Sequence, residues 1–143
     1  VKLLDANILL HAYDPRFPRQ ELAAAWLERT VSGSEQVGLA WVTVLAFLRL
    51  STNPRAFPLP FSTEEAGSIV SSWLERENVS ILEPTENHWQ MLSSLLTRAQ
   101  ARGDLVTDAH LASLAIEHGA TLCTNDRDFA RFPGLKLLDP LEA

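Results

Sequence analysis

At 143 residues the chain has the length of one domain, and 46% hydrophobic against 21% charged residues is the composition of an ordinary folded protein, which argues against wholesale disorder. Eighteen acidic against twelve basic residues leave a formal charge of -6, so a broad basic face for nucleic acid is excluded, while a small acidic site acting on nucleic acid through metal ions, steered by a few arginines, is not. The single cysteine, Cys123, excludes an intrachain disulfide and reads as a small packed hydrophobe in a reducing cytoplasm.

Asp5 and His11 interrupt the first apolar run, which spoils a signal peptide, and the uncharged stretch at residues 37–48 is too short to span a bilayer. Residues 1–4 predict a short buried strand that stops at Asp5, and residues 6–13 a short helix. Pro15 and Pro18 mark a turn, after which residues 19–31 predict an amphipathic helix with Leu22, Ala23, Trp26 and Leu27 inward, closed by Gly33. Residues 37–40 predict a second strand and 41–50 a helix that Asn53 and Pro54 must end.

Proline density between Pro54 and Pro60 predicts a loop, and Ser62 with Glu64 and Glu65 a helix start, the helix running to about Glu77 with Ile69, Val70, Trp73 and Leu74 inward. A third strand follows at 79–82, then a long helix from about Thr85 ended by Gly103, and another over 104–118 ended by Gly119. Residues 120–124 read as a fourth strand, 126–129 as a polar loop with a helical turn, and 135–138 as a last strand. Strands separated by helices predict one α/β domain over residues 1–143, a parallel sheet of about four to five strands with helices on both faces, and a ligand site at the carboxyl ends of the strands.

Asp5 falls at such an end, as do Asp126 and Asp128, and Asp108 opens a helix whose small residues Ala109, Ala112 and Ala115 allow close approach to the sheet. Carboxylates gathered without cations repel one another, and hard divalent cations with oxygen ligands are the usual reason to gather them. Each acid alone also has an ordinary use: Asp5 as a helix N-cap, Asp108 as a first-turn acid, Asp126 as a turn residue.

Three blocks carry a family resemblance: residues 3–10 around Asp5, Ala6 and Asn7; residues 107–115 around Asp108; and residues 124–129 around Thr124, Asn125, Asp126 and Asp128. Together they resemble the acidic blocks of the PIN-domain ribonucleases, and residues 45–55 and 132–135 are similar to the VapC toxin branch. The resemblance implies a three-layer endoribonuclease with a Mg²⁺ site, Mn²⁺ being the alternative ion, with tRNA as the substrate class and a VapB-type antitoxin as partner. It maps the family's first, third and fourth acids onto Asp5, Asp108 and Asp126, with Asp128 sharing the fourth role and Thr124 and Asn125 as hydrogen-bonding neighbours.

The departure is the family's second acid, where this sequence places Phe47. Either Asp104, one helical turn before Asp108, or water completes the shell, or the nuclease is weakened to a module that binds RNA or a partner. A phosphohydrolase of another doubly wound family is the competing enzyme class; the sequence lacks a glycine-rich phosphate loop and an Asp-x-Asp at the first strand. Arg49, Arg55, Arg127 and Arg131 are candidates for phosphate or antitoxin contacts, and the four histidines read as structural or surface residues. The tryptophans suit core or dimer packing, and a homodimer surface including Trp41 or Phe57 is expected.

Overall fold

The computed structural model describes residues 1–142. Its elements in chain order are β1 (Lys2–Leu4), α1 (Ala6–His11), α2 (Gln20–Ser32), β2 (Val37–Leu39), α3 (Trp41–Ser51), α4 (Thr63–Leu74), β3 (Val79–Ile81), α5 (His88–Arg98), α6 (Leu105–Glu117), β4 (Thr121–Cys123), a 3-10 turn (Arg127–Arg131) and β5 (Lys136–Leu138). The five strands form one sheet in the order β3-β2-β1-β4-β5, and every pair is parallel. A three-layer α/β arrangement follows, because a parallel neighbour requires a crossover and the crossovers here are helical.

The strands are short and hydrophobic, and their side chains alternate between the two layers. Leu4, Val37, Leu39 and Cys123 pack with α1 to α4, in a core that includes Ile8, Leu27, Phe47 and Trp73. Leu3 and Leu122 pack on the other face with α5 and α6, among Leu95, Ala109, Ala112 and Ala115. Small residues on α6 let its backbone lie close to the sheet, while the facing layer is filled with aromatic rings. Gly38 in β2 is needed for space: a Cβ there would meet Leu82 Cδ1 at 2.5 Å.

Several boundaries differ from the pattern expected of the sequence. Helix α2 buries Ala23, Leu27 and Val31, one stripe at i, i+4, i+8, so Leu22 is left exposed and Trp26 only half-buried. Helix α4 stops at Leu74 rather than near Glu77, because the chain must turn into β3, and buried Asn78 fastens that turn by donating to the carbonyls of Thr30 and Glu35. Helix α5 starts at His88 and is ended by Gln100, not Gly103. Gln100 takes a left-handed φ of 51°, its N–H donates to Thr97 O, and the Ala101 N–H donates to Leu96 O, which satisfies two orphan carbonyls at the helix end. Trp73 is a core residue, whereas Trp41 and Trp89 are exposed. Phe57, expected as a surface residue, is buried. Among the described residues no helix is long and apolar enough to cross a membrane.

Candidate active site

The strand order reverses beside β1: the chain goes from β1 outward to β2 and β3, then returns to place β4 on the other side. The carboxyl ends of β1 and β4 therefore flank a crevice that no crossover covers. Asp5 is the first residue beyond β1, and its N–H still donates to Cys123 O at 3.0 Å, so the backbone stays in register with β4. Its Oδ1 accepts from the Ala6 N–H at 2.8 Å, capping α1, and its Oδ2 accepts from Thr124 Oγ1 at 2.8 Å. The N-cap use and the site use of Asp5 are thus served by different oxygens.

Thr124, the first residue beyond β4, is buried, and its hydroxyl is the hub of the crevice. It donates to Asp5 and accepts from Asn7 Nδ2 at 3.2 Å and from the Asp126 N–H at 3.0 Å. Asn7 Nδ2 also donates to Asn125 Oδ1 at 2.7 Å. Asp126 in turn caps the 3-10 turn, its Oδ1 accepting from the Asp128 N–H at 2.9 Å. Residues more than a hundred positions apart are locked together by one hydroxyl and one carboxamide. Asn7 was visible in the sequence only as a member of a motif; the signal for its role is its place two residues after Asp5, at the start of a capped helix.

Asp108 enters from the first turn of α6 and is half-buried. Burial, and then the charges of Asp5, Asp126, Asp128 and Asp104, push its carboxyl up to about 6. Asp5 is also raised, chiefly by burial, against the hydrogen bonds from Thr124 and Ala6, with a further push from Asp126. Among the described residues none of Asp5, Asp104, Asp108 and Asp126 has an ion-pair partner; Asp128 has only Arg131, at 3.9 Å. Asp104 lies exposed at the start of α6 and makes no capping hydrogen bond, and Asp128 is exposed as well.

Among the described residues no three His, Cys, Asp or Glu side chains are drawn up into a ready-made metal shell. The donor set nonetheless suits a hard divalent cation: every group is a carboxylate, none of the three central ones is neutralised by a cation, and at least two are destabilised in their charged form.

Phe47 does not face this crevice. It is fully buried in the opposite core layer, its ring edge-on to Tyr13 at 5.8 Å and to Trp73 at 4.8 Å between centroids. Position 47, where the resemblance placed the family's second acid, is therefore a packing position, and that correspondence is corrected: Phe47 stands in no position to replace a ligand of the crevice. Arg49 borders an open groove of about 430 Å³ beside Thr107, on the approach to Asp108. Arg127 and Arg131 instead lie near acids, Arg127 3.7 Å from Glu142 and Arg131 against Asp128, which leaves Arg49 and Arg55 as the exposed members of that set without an ion pair among the described residues.

The histidines divide. His88 joins Glu117 and His110 in a network away from the acids, and His118 Nε2 lies 2.7 Å from Glu83 O. His11 is different. It stands at the end of α1, close enough to the Asn125 side chain for that group to favour its protonated form, although burial is the larger effect and lowers it. This neighbour of the site was not distinguished in the sequence from the other three.

A family model described as PIN domain matches residues 2–135. The chain is 39% identical over 140 residues to ribonuclease VapC37 of Mycobacterium tuberculosis, covering 98% of this chain and 97% of that protein, and 37% identical over 137 residues to ribonuclease VapC33 of the same species, with 96% of each covered. The chain belongs to the PIN-domain family, in its VapC branch. Its fold is similar to that of VapBC2 from Rickettsia felis, solved bound to a promoter DNA fragment, with a TM-score of 0.69 and 22% identity over 96% of each chain. It is similar also to Mycobacterium tuberculosis VapC20, described as a toxin cleaving the sarcin-ricin loop, with a TM-score of 0.65 and 15% identity over 95% of this chain and 99% of that one. PIN-domain ribonucleases are generally metal-dependent.

Proposed function

We propose that this protein is a Mg²⁺-dependent endoribonuclease, the toxin of a toxin-antitoxin pair, acting in the cytoplasm as a single domain over residues 1–143. Asp5, Asp108 and Asp126 are the catalytic and metal-holding residues, with Asp128 and Asp104 adding charge at the rim; Mn²⁺ is the alternative ion. The observation that carries this reading is the group of carboxylates without cation partners at the reversal point of the sheet, with Asp108 raised to about 6 by burial and by four other acids. A purely structural acid would be expected to have partners instead. The ribonuclease names of the relatives at 37–39% identity support the same reading.

The chemistry a divalent cation supplies when held by such oxygens is activation of water and charge neutralisation at a phosphodiester. The chain's own residues prepare that arrangement. Ala6 and Thr124 fix both oxygens of Asp5, so its carboxylate cannot rotate away, and Thr124 sets the backbone of Asp126 through the same hydroxyl. Asp108, whose charge is among the costliest, has most to gain from a cation, and its place on a helix packed by alanines makes its position rigid. Arg49 is available to a phosphate on the approach, and Arg55 is an exposed cation without an ion pair among the described residues.

The substrate class we propose is tRNA and the partner a VapB-type antitoxin, both on family resemblance. The protein is further proposed to form a homodimer through the exposed Trp41 and Leu45, which lie four residues apart on α3; light scattering at micromolar concentration should give the dimer mass. The test of the activity is Asp5→Asn, which keeps an oxygen acceptor for Ala6 while removing the charge. RNA cleavage in millimolar Mg²⁺ should fall by at least about a hundredfold with the melting temperature little changed. Chelator should abolish cleavage by the unmodified protein, and mapping of the cut ends identifies the RNA. Retained cleavage in Asp5→Asn would sink the assignment. A second reading, a weakened nuclease that chiefly binds RNA or a partner, is favoured by one observation, that among the described residues no three acids are drawn together into a metal shell; RNA binding without metal-dependent cleavage is its signature.

A further inference from the structure

One aromatic pair near the crevice has no use in the acidic chemistry. The rings of His11 and Phe17 lie face to face, with centroids 3.8 Å apart and planes within 8°. That is the spacing of stacked bases, and neither ring is fully buried. His11 ends α1 one helical turn beyond Asn7, and its ring neighbours the side chain of Asn125, which accepts from Asn7 Nδ2. Phe17 is fixed by a tight turn in which its N–H donates to Asp14 O at 3.0 Å and its carbonyl accepts from the Gln20 N–H at 3.1 Å, with Pro15 and Pro18 restricting the backbone on either side. Phe17 also lines an open groove of about 520 Å³ together with Pro18, Arg19 and Gln20. Arg19 is exposed and makes no ion pair among the described residues.

We infer that the His11–Phe17 stack is a nucleobase platform for single-stranded RNA, holding one unpaired base of the substrate in the groove beside Phe17 while Arg19 meets a phosphate of the same strand. The inference rests on the RNA-cleaving reading given above. Single-stranded RNA is recognised by stacking of splayed bases on aromatic and histidine rings, a contact that tolerates any base and needs no broad basic surface. This suits a chain with a net charge of -6. His11 backs Phe17 on one face, so the platform is built before the RNA arrives and little side-chain entropy is lost on binding.

The test uses the full chain carrying Asp5→Asn, so that RNA survives, and a short unstructured RNA oligonucleotide with 2-aminopurine at one position, moved along the strand. At one position the fluorescence should be quenched on binding. Phe17→Leu, which keeps the apolar contact with the core but removes the ring, should abolish that quenching and weaken binding at least about fivefold, and Phe17→Tyr should restore both. Arg19→Gln should leave the quenching and make the salt dependence of binding shallower by about 0.7 in slope, the loss of one phosphate contact. In the otherwise unmodified enzyme, Phe17→Leu should raise KM more than it lowers kcat. Quenching and affinity unchanged in Phe17→Leu, with the melting temperature of the parent, would overturn the platform while leaving cleavage by the unmodified protein, and so the RNA reading, intact. A parent protein that neither binds nor cleaves RNA would overturn both.

Discussion

Asp108 and Glu117 stand nine residues apart on α6, which is about 180° of helical rotation, so the two carboxylates face opposite sides of one helix. Glu117 is turned toward α5, and both of its oxygens are satisfied. Oε1 accepts from the Thr85 N–H and hydroxyl at 3.0 and 2.8 Å, and Oε2 lies 2.5 Å from His88 Nδ1, whose other ring nitrogen is 2.9 Å from His110 Nδ1. Burial pushes Glu117 up, yet these bonds outweigh it and its carboxyl ends below the usual range. Asp108 is turned toward the crevice, lacks an ion pair among the described residues, and ends at about 6. The difference separates a carboxylate that fastens two helices from one whose strain is relieved only by something bound. Buried acids are generally paired, so the one left without partners is the functional candidate.

The harshest way to break this comparison is to add a third acid. Phe47→Glu places a carboxylate among Tyr13 and Trp73, and the expected cost is about 4–5 kcal/mol or outright loss of folding, with no gain in Mg²⁺ affinity. Thermal melting and calorimetric titration of that variant decide it. Tighter metal binding would mean that position 47 reaches the crevice after all.

Glu117→Ala leaves Thr85 and His88 without their acceptor and should cost about 2–3 kcal/mol, read as a lower denaturation midpoint, with Mg²⁺ affinity unchanged. Loss of metal affinity in this variant would merge the two sites that the geometry separates.

Asp108→Asn should act with the opposite sign. Removing the charge relieves repulsion and stabilises the metal-free protein by about 1 kcal/mol, a value discounted for the partial exposure of the group, while Mg²⁺ affinity falls at least about tenfold. A destabilised Asp108→Asn would place Asp108 with Glu117 among the structural acids.

The smallest effect is in pH. In the native state Asp108 keeps its proton up to about 6, whereas in the unfolded chain it releases it near 3.8. Over that interval the folded form binds more protons, so its contribution to stability declines as pH rises from about 4 to 6. Glu117, held low, contributes the other way: its stabilisation is present above its unfolded pKa and is lost as pH falls. Melting curves in chelator between pH 4 and 7 should show the Asp108 component, absent in Asp108→Asn and suppressed by millimolar Mg²⁺.

The order of strands and helices was legible because it depends on local period and on punctuation by proline, glycine and capping residues. Asp5, Asp108 and Asp126 were legible as candidates because each sits where a strand ends or a helix begins. The end of α5 was not, since a left-handed Gln100 did the work expected of Gly103. Nor was the inward stripe of α2, which depends on what faces it: Leu22 and Ala23 are equally apolar in the sequence, and only contact with the core selects Ala23.

What the sequence by itself determined is the alternation of elements, the acids available and, through the three acidic blocks, the family. Only the tertiary structure decided that β4 returns beside β1, which brings the Thr124 hydroxyl to Asp5 across 119 positions of chain and sets Asn125 beside the ring of His11. It likewise decided that Phe47 is a core ring and that two acids on one helix meet opposite surroundings. The physical reason is the same in each case: propensity and capping act within a few residues, whereas burial, charge and hydrogen bonding act through space, and the environment of a side chain exists only once distant segments have packed against it.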